Sequence, residues 1–151
     1  MHRNPQKLID DGFHLTPSLD TVATIMALPN VEGEVEALGV FVASDGPVPE
    51  VVGMDRAALV LAGFDASLGS TMKLAGSMDP LVVLVGVGSS EGLQEADGSV
   101  WRVAAAAFVR AVPRLSRLAF KDPQFETTEH AAVAAQAMVE GLCSVGTGSV
   151  A

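Results

Sequence analysis

The sequence has few of the features that would place it at once in a class of protein. Cysteine occurs once, as Cys143, so no disulfide can form within the chain. The expected location is therefore a reducing compartment, the cytoplasm. Lysine and arginine together number 9 against 18 aspartates and glutamates, which gives a net charge of −9. Because such a surface repels a phosphate backbone, and the few basic residues are scattered, we expect no nucleic-acid partner.

Long apolar runs are also missing. An apolar run such as Leu81–Val87 spans 7 residues, whereas a membrane-spanning helix needs about 20. The N-terminal stretch Met1–Leu8 is followed by Asp10 and Asp11 rather than by an apolar segment. We therefore expect neither a secretory signal nor a membrane partner.

Apolar residues are nevertheless abundant. Of the 151 residues, 49% are hydrophobic and only 18% are charged, which suits one domain with a sizeable core. Two interpretations of this excess remain open. The domain has a small core rich in alanine and valine, or it presents an apolar surface that a partner or a second domain covers.

Turn residues and hydrophobic periodicity divide the chain into three parts. We expect a flexible N-terminal arm at 1–17, a domain at 18–145 and a tail or linker at 146–151. Within the domain the predicted order is β, β, α, β, β, α, β, α, an α/β fold with a mixed sheet and helices on both faces. The predicted strands are Thr21–Leu28, Val35–Ala43, Ser70–Leu74, Leu81–Val87 and Leu115–Phe120. The predicted helices are Asp55–Ala62, Ser99–Val112 and a last one from Thr127 or Thr128 to Cys143.

The sequence also predicts how these helices begin and which faces they bury. Asp55 is the expected N-cap of the first helix, and Asp97 or Ser99 that of the second. The expected buried face of the second helix consists of Trp101, Ala104, Ala105, Phe108 and Val112. That of the last helix consists of Ala131, Ala134, Ala135, Met138 and Leu142.

The glycine-rich stretch Gly86-Val-Gly-Ser-Ser-Glu-Gly92 follows the strongest predicted strand, where many α/β proteins bind nucleotides. A dinucleotide fingerprint requires Gly-x-Gly-x-x-Gly directly before a helix. Here the third glycine comes one residue late, and Glu91 introduces a charge that repels a pyrophosphate. The spacing therefore favours a plain turn in which Gly86 and Gly88 serve the backbone, and we assign no cofactor-binding residue.

Other reactive side chains do not form a recognisable constellation. The three histidines, at positions 2, 14 and 130, are far apart in sequence, and no spacing typical of metal ligands is present. Cys143 has no basic neighbour in its predicted helix, which favours a buried and inert thiol. Ser67, Ser70 and Ser77 lack the context of a nucleophile elbow. We assign no catalytic and no metal-binding residue.

Four stretches taken together resemble one family. "VEALGVFVASDGPVPE", "LVLAGFDASLGSTMKLAG", "DPLVVLVGVGSSEGLQEADGSVWRVAAAAFVRAV" and "HAAVAAQAMVEGLCSV" are similar, in this order and spacing, to segments of the N-terminal domain of leucyl aminopeptidases. The resemblance extends over about Thr21–Val145. It implies a three-layer α/β/α fold akin to macro domains.

The resemblance also carries expectations about function. In that family the N-terminal domain has no catalytic residue, and a following catalytic domain binds two divalent metals, commonly zinc, manganese or magnesium. The ending "SVGTGSVA" departs from the aromatic-rich connection usual there. We therefore expect a non-catalytic module for assembly and positioning that self-associates or docks to a catalytic aminopeptidase domain. The alternatives are a macro-type module that binds a nucleotide or ADP-ribose, and a diverged protein whose role is only protein contact.

Overall fold

A computed structural model of the chain describes residues 34–76, 79–94, 98–121, 123, 125 and 127–146. The predicted N-terminal arm, the predicted strand Thr21–Leu28 and residues 147–151 of the tail lie outside these ranges.

The described residues form one four-stranded mixed sheet. Its strands are β1 (Ala37–Ala43), β2 (Thr71–Lys73), β3 (Leu81–Gly88) and β4 (Leu118–Phe120), in the spatial order β2-β3-β1-β4. β1 runs parallel to both β3 and β4, and β2 runs antiparallel to β3. The two most apolar runs in the sequence are thus the two inner strands, as expected for strands covered on both faces.

Three α-helices accompany the sheet: α1 (Arg56–Leu61), α2 (Ser99–Ala111) and α3 (Thr128–Gly146). Two 3-10 helices, Glu50–Val52 and Ser90–Gln94, were not predicted and fill the connections after β1 and β3. The α/β class is confirmed, as are all the predicted strands and helices that fall within the described residues.

Side chains alternate along β1 and β3, so residues on opposite faces of the sheet pack into two separate hydrophobic cores. On one face Phe41, Val83 and Val85 pack with α2 and α3. On the other, Val40, Val42 and Leu84 pack with Leu59 of α1. The sheet therefore lies between a thick helical layer, α2 and α3, and a thin one that contains the 6-residue α1.

The predicted face of α2 is buried as expected, with Trp101 and Phe108 in the core. Trp101 meets Phe41 edge-on with ring centroids 5.2 Å apart, and Phe108 lies 4.8 Å from Phe120. These rings fasten α2 to β1 and β4, so the two aromatic residues are part of the core and not an exposed stacking surface.

The predicted face of α3 is partly wrong. Ala134 is buried, but Ala135 is exposed, and the residues that approach α2 and its N-cap closely are Val133, Ala137 and Gly141. The reason lies in the close approach of the two helices, since a side chain at Gly141 would collide with the Arg102 carbonyl. The spacing of small residues, rather than that of the larger Met138 and Leu142, decides which side of α3 faces α2.

Two predicted helix termini are corrected as well. The N-cap of α2 is Gly98, with φ of +67° and no side-chain cap, instead of Asp97 or Ser99. A Cβ at residue 98 would lie 2.8 Å from that of Ala137, so α3 leaves room only for glycine. α3 continues to Gly146, three residues beyond the predicted end at Cys143. Asp55 caps α1 as predicted, and Thr127, one of the two predicted starts of α3, caps that helix; they accept hydrogen bonds from the backbone N–H groups of Ala58 and His130.

Within the described part of the chain, none of the helices is long and apolar enough to cross a bilayer.

Candidate functional site

The candidate site is the carboxyl-terminal edge of β1 and β3, two adjacent parallel strands. After β1 the chain passes to the face that carries α1, and after β3 it passes to the face that carries α2. Connections that leave neighbouring strands toward opposite faces open a crevice between them, which is where α/β proteins with parallel strands bind ligands. The geometry of this edge therefore decides whether the chain has a ligand site of that kind.

The chain's own groups bridge this edge. The carboxylate of Asp45, two residues beyond β1, accepts hydrogen bonds from the Ser90 backbone N–H at 2.7 Å and from the Ser90 hydroxyl at 3.0 Å. The backbone N–H of Ser44 donates to the Gly88 carbonyl at 2.8 Å. The N-terminus of the 3-10 helix Ser90–Gln94 is thereby satisfied by an internal carboxylate instead of an exogenous anion.

The electrostatics of Asp45 agree with this bridging role. Hydrogen bonds from Ser90 keep the pKa of Asp45 below its ordinary value, and the bond from the Ser90 backbone N–H has the largest effect. The nearby charge of Arg56 acts in the same direction. The Arg56 guanidinium is itself hydrogen-bonded to the Gly46 carbonyl at 2.9 Å. Asp45 is thus a carboxylate that ties two loops together, and it remains ionised at neutral pH.

Gly86 and Gly88 serve the backbone, although Gly86 does so in a different way from the one predicted. Gly86 lies within β3 and not in a turn. A Cβ there would collide with the Ser67 carbonyl, and the Gly86 N–H donates to the Ser70 carbonyl at 2.8 Å. Gly88 adopts a φ of +75° at the end of the strand, which favours glycine. Both glycines thus bind the loop Ala66–Ser70 through their backbone. The Gly88 N–H donates to the Ala66 carbonyl at 3.0 Å.

A shallow pocket of about 560 Å³ lies beside this edge. It is lined by the connection between β1 and α1, from Gly46 through Val48 and Glu50 to Arg56. It is open to solvent, and its polar groups belong mainly to loop residues whose hydrogen bonds are made within the same connection. No side chain in it forms a pair suited to acid–base or nucleophilic chemistry.

The other candidate side chains remain separate. His130 is exposed in the first turn of α3, and His2, His14 and Ser77 fall outside the described residues. Cys143 is exposed, so the prediction of a buried thiol is wrong; two positions from the buried Gly141, it falls on the opposite side of α3. The Ser67 hydroxyl donates to Asp65 and the Ser70 hydroxyl to the Ser67 carbonyl, so both serve the loop before β2.

Among the described residues, no group of three or more His, Cys, Asp or Glu side chains lies close enough together to hold a metal ion. The resemblance implies zinc, manganese or magnesium for a separate catalytic domain, so this finding among the described residues does not bear on that expectation.

The described surface offers a second feature, a set of exposed apolar side chains on the thin side of the sheet. Val60 and Leu61 of α1 are 58% and 91% exposed, and Val51 of the preceding 3-10 helix is 39% exposed. We call these three residues the α1 surface. Their neighbours Leu59 and Val52 are buried against the sheet, which fixes the direction in which the exposed residues point.

No local pattern in the sequence indicates the Asp45–Ser90 bridge. Asp45 lies in the turn-forming stretch Ser-Asp-Gly-Pro, and Ser90 lies in the glycine-rich stretch after β3. The available signal is the position of each residue directly after an inner parallel strand, because the carboxyl ends of such strands meet at one edge.

Comparison with protein-family models, with curated proteins and with solved structures finds no match to this chain.

Proposed function

We propose that this chain is a non-catalytic assembly module of a leucyl aminopeptidase-like metallo-exopeptidase, and that it acts by contact through the α1 surface. The observation that carries the proposal is the contrast between the two candidate sites. The edge at which an α/β domain binds small ligands is bridged by Asp45 and Ser90, while three large apolar side chains stand in solvent.

Two further observations support this proposal. The arrangement of helices on both faces of a mixed sheet is the kind of fold that the resemblance to the aminopeptidase N-terminal domain implies. The α1 surface also suits a protein partner, because side chains as exposed as Leu61 contribute to stability only when another surface covers them. We propose the cytoplasm as its location, on the basis of the single cysteine.

Peptidase activity tests this proposal in two settings. The recombinant chain alone is expected to show no hydrolysis of leucine p-nitroanilide with added manganese or zinc. The same chain, tagged and expressed from its own locus, is expected to purify with chelator-sensitive aminopeptidase activity. Val60→Glu/Leu61→Glu should abolish that co-purification, whereas Leu68→Glu, which changes an exposed leucine elsewhere, should preserve it. Turnover by the homogeneous chain, lost on chelation, would contradict the proposal.

A second candidate function is a macro-type module that binds ADP-ribose or a nucleotide. One observation favours this candidate: the connections after β1 and β3 leave toward opposite faces of the sheet, as at ligand sites of α/β proteins. The Asp45–Ser90 bridge opposes it, because it closes that edge. Calorimetric titration with ADP-ribose distinguishes the two. We expect no binding tighter than about 1 mM, equivalent to about −4 kcal/mol. Micromolar affinity that is lost in Gly88→Val would favour the second candidate.

A further inference from the structure

We draw no further inference here: the strongest candidate, the solvent-open pocket beside the carboxyl-terminal edge of β1 and β3, belongs to the candidate site already described, and the hydrogen bonds of its Asp55 and Arg56 side chains go to the chain's own backbone at Ala58 and Gly46.

Discussion

At the scale of single residues, two glycines and two hydrogen-bonded carboxylates hold the loops at the sheet edges. Gly86 has no side chain and so allows the Ser67 carbonyl to lie against β3, and Gly88 adopts the left-handed backbone conformation at the end of that strand. Asp45 and Glu36 each join the residues next to one strand with those of a neighbouring strand, Asp45 at the carboxyl end and Glu36 at the amino end of the sheet. These residues place the loops of the candidate site without providing reactive chemistry.

Gly86→Ala is expected to destabilise the fold by about 1–3 kcal/mol or more, the range for overpacking a tight site. The added methyl group would meet the backbone of Ser67, which cannot move aside as a flexible side chain would. Gly92→Ala is the matched control, because its nearest neighbours, Val100 and Ser89, would be at least 3.9 Å away. Urea unfolding of both variants measures the difference, and equal midpoints would contradict this view of Gly86.

Acid is expected to weaken the fold through its bonded carboxylates. The backbone N–H groups of Arg117 and Ser116, followed by the Ser116 hydroxyl, lower the pKa of Glu36 in the folded chain. A lowered pKa stabilises the fold above the ordinary glutamate pKa, and that contribution is lost as the pH falls below about 4.

Glu36→Gln should therefore lose less of its free energy of unfolding than the unchanged chain when the pH falls from about 5 to about 3. Glu91→Gln, which alters an exposed carboxylate in the 3-10 helix Ser90–Gln94, is the control for the loss of one negative surface charge. The measurement is urea unfolding at the two pH values. An identical loss in Glu36→Gln and the unchanged chain would show that Glu36 contributes nothing to acid sensitivity.

At the scale of elements, α2 and α3 are held together by small residues at short distance. Ala137 and Gly141 of α3 lie against Gly98 and Arg102 of α2. The one ion pair described between the two helices joins Arg102 and Glu140 at 2.7 Å, with both side chains 45% exposed. Exposed ion pairs contribute little to stability, so the packing dominates.

Gly141→Ala is accordingly expected to destabilise the chain more than Glu140→Ala. The first change forces a methyl group against the Arg102 carbonyl and separates the helices, at a cost of about 1–3 kcal/mol. The second removes an exposed ion pair worth about 0–1 kcal/mol. Thermal unfolding of the two variants compares them directly, and the opposite order would mean that the ion pair holds the helices.

How far the sequence predicts the fold depends on how distinctive each side chain is. β1 and β3 were predictable because continuous runs of valine, leucine and phenylalanine indicate strands buried on both faces. The buried face of α2 was predictable because Trp101 and Phe108 stand out among alanines. In α3 the apolar positions from 131 to 137 are all alanine except Val133, so the true contact through Ala137 and Gly141 depends on α2 and could not be predicted from periodicity alone. The Asp45–Ser90 bridge joins residues 45 positions apart, which local patterns do not reveal.

At the scale of the whole molecule, the proposed function rests on apolar side chains that the described fold leaves uncovered. On the long helix α2, Val103 is 42% exposed. The most exposed large apolar side chain of the described residues is Leu61 of α1. α1 has only six residues and buries Leu59 alone, so Val60 and Leu61 remain outside the core. Covering a few hundred Å² of such surface contributes several kcal/mol, on the order of 25 cal/mol per Å², before the entropic cost of association.

Sedimentation velocity of the isolated chain over a wide concentration range tests most directly whether it acts by contact through the α1 surface. We predict reversible dimer formation by the unchanged chain in the micromolar range, persistence of the dimer in Leu68→Glu, and a monomer at all concentrations for Val60→Glu/Leu61→Glu. A charged side chain at the centre of an apolar interface is left without a partner, which is why that variant should dissociate. Purely monomeric behaviour of the unchanged chain at several hundred micromolar, or a dimer that survives Val60→Glu/Leu61→Glu, would contradict the account.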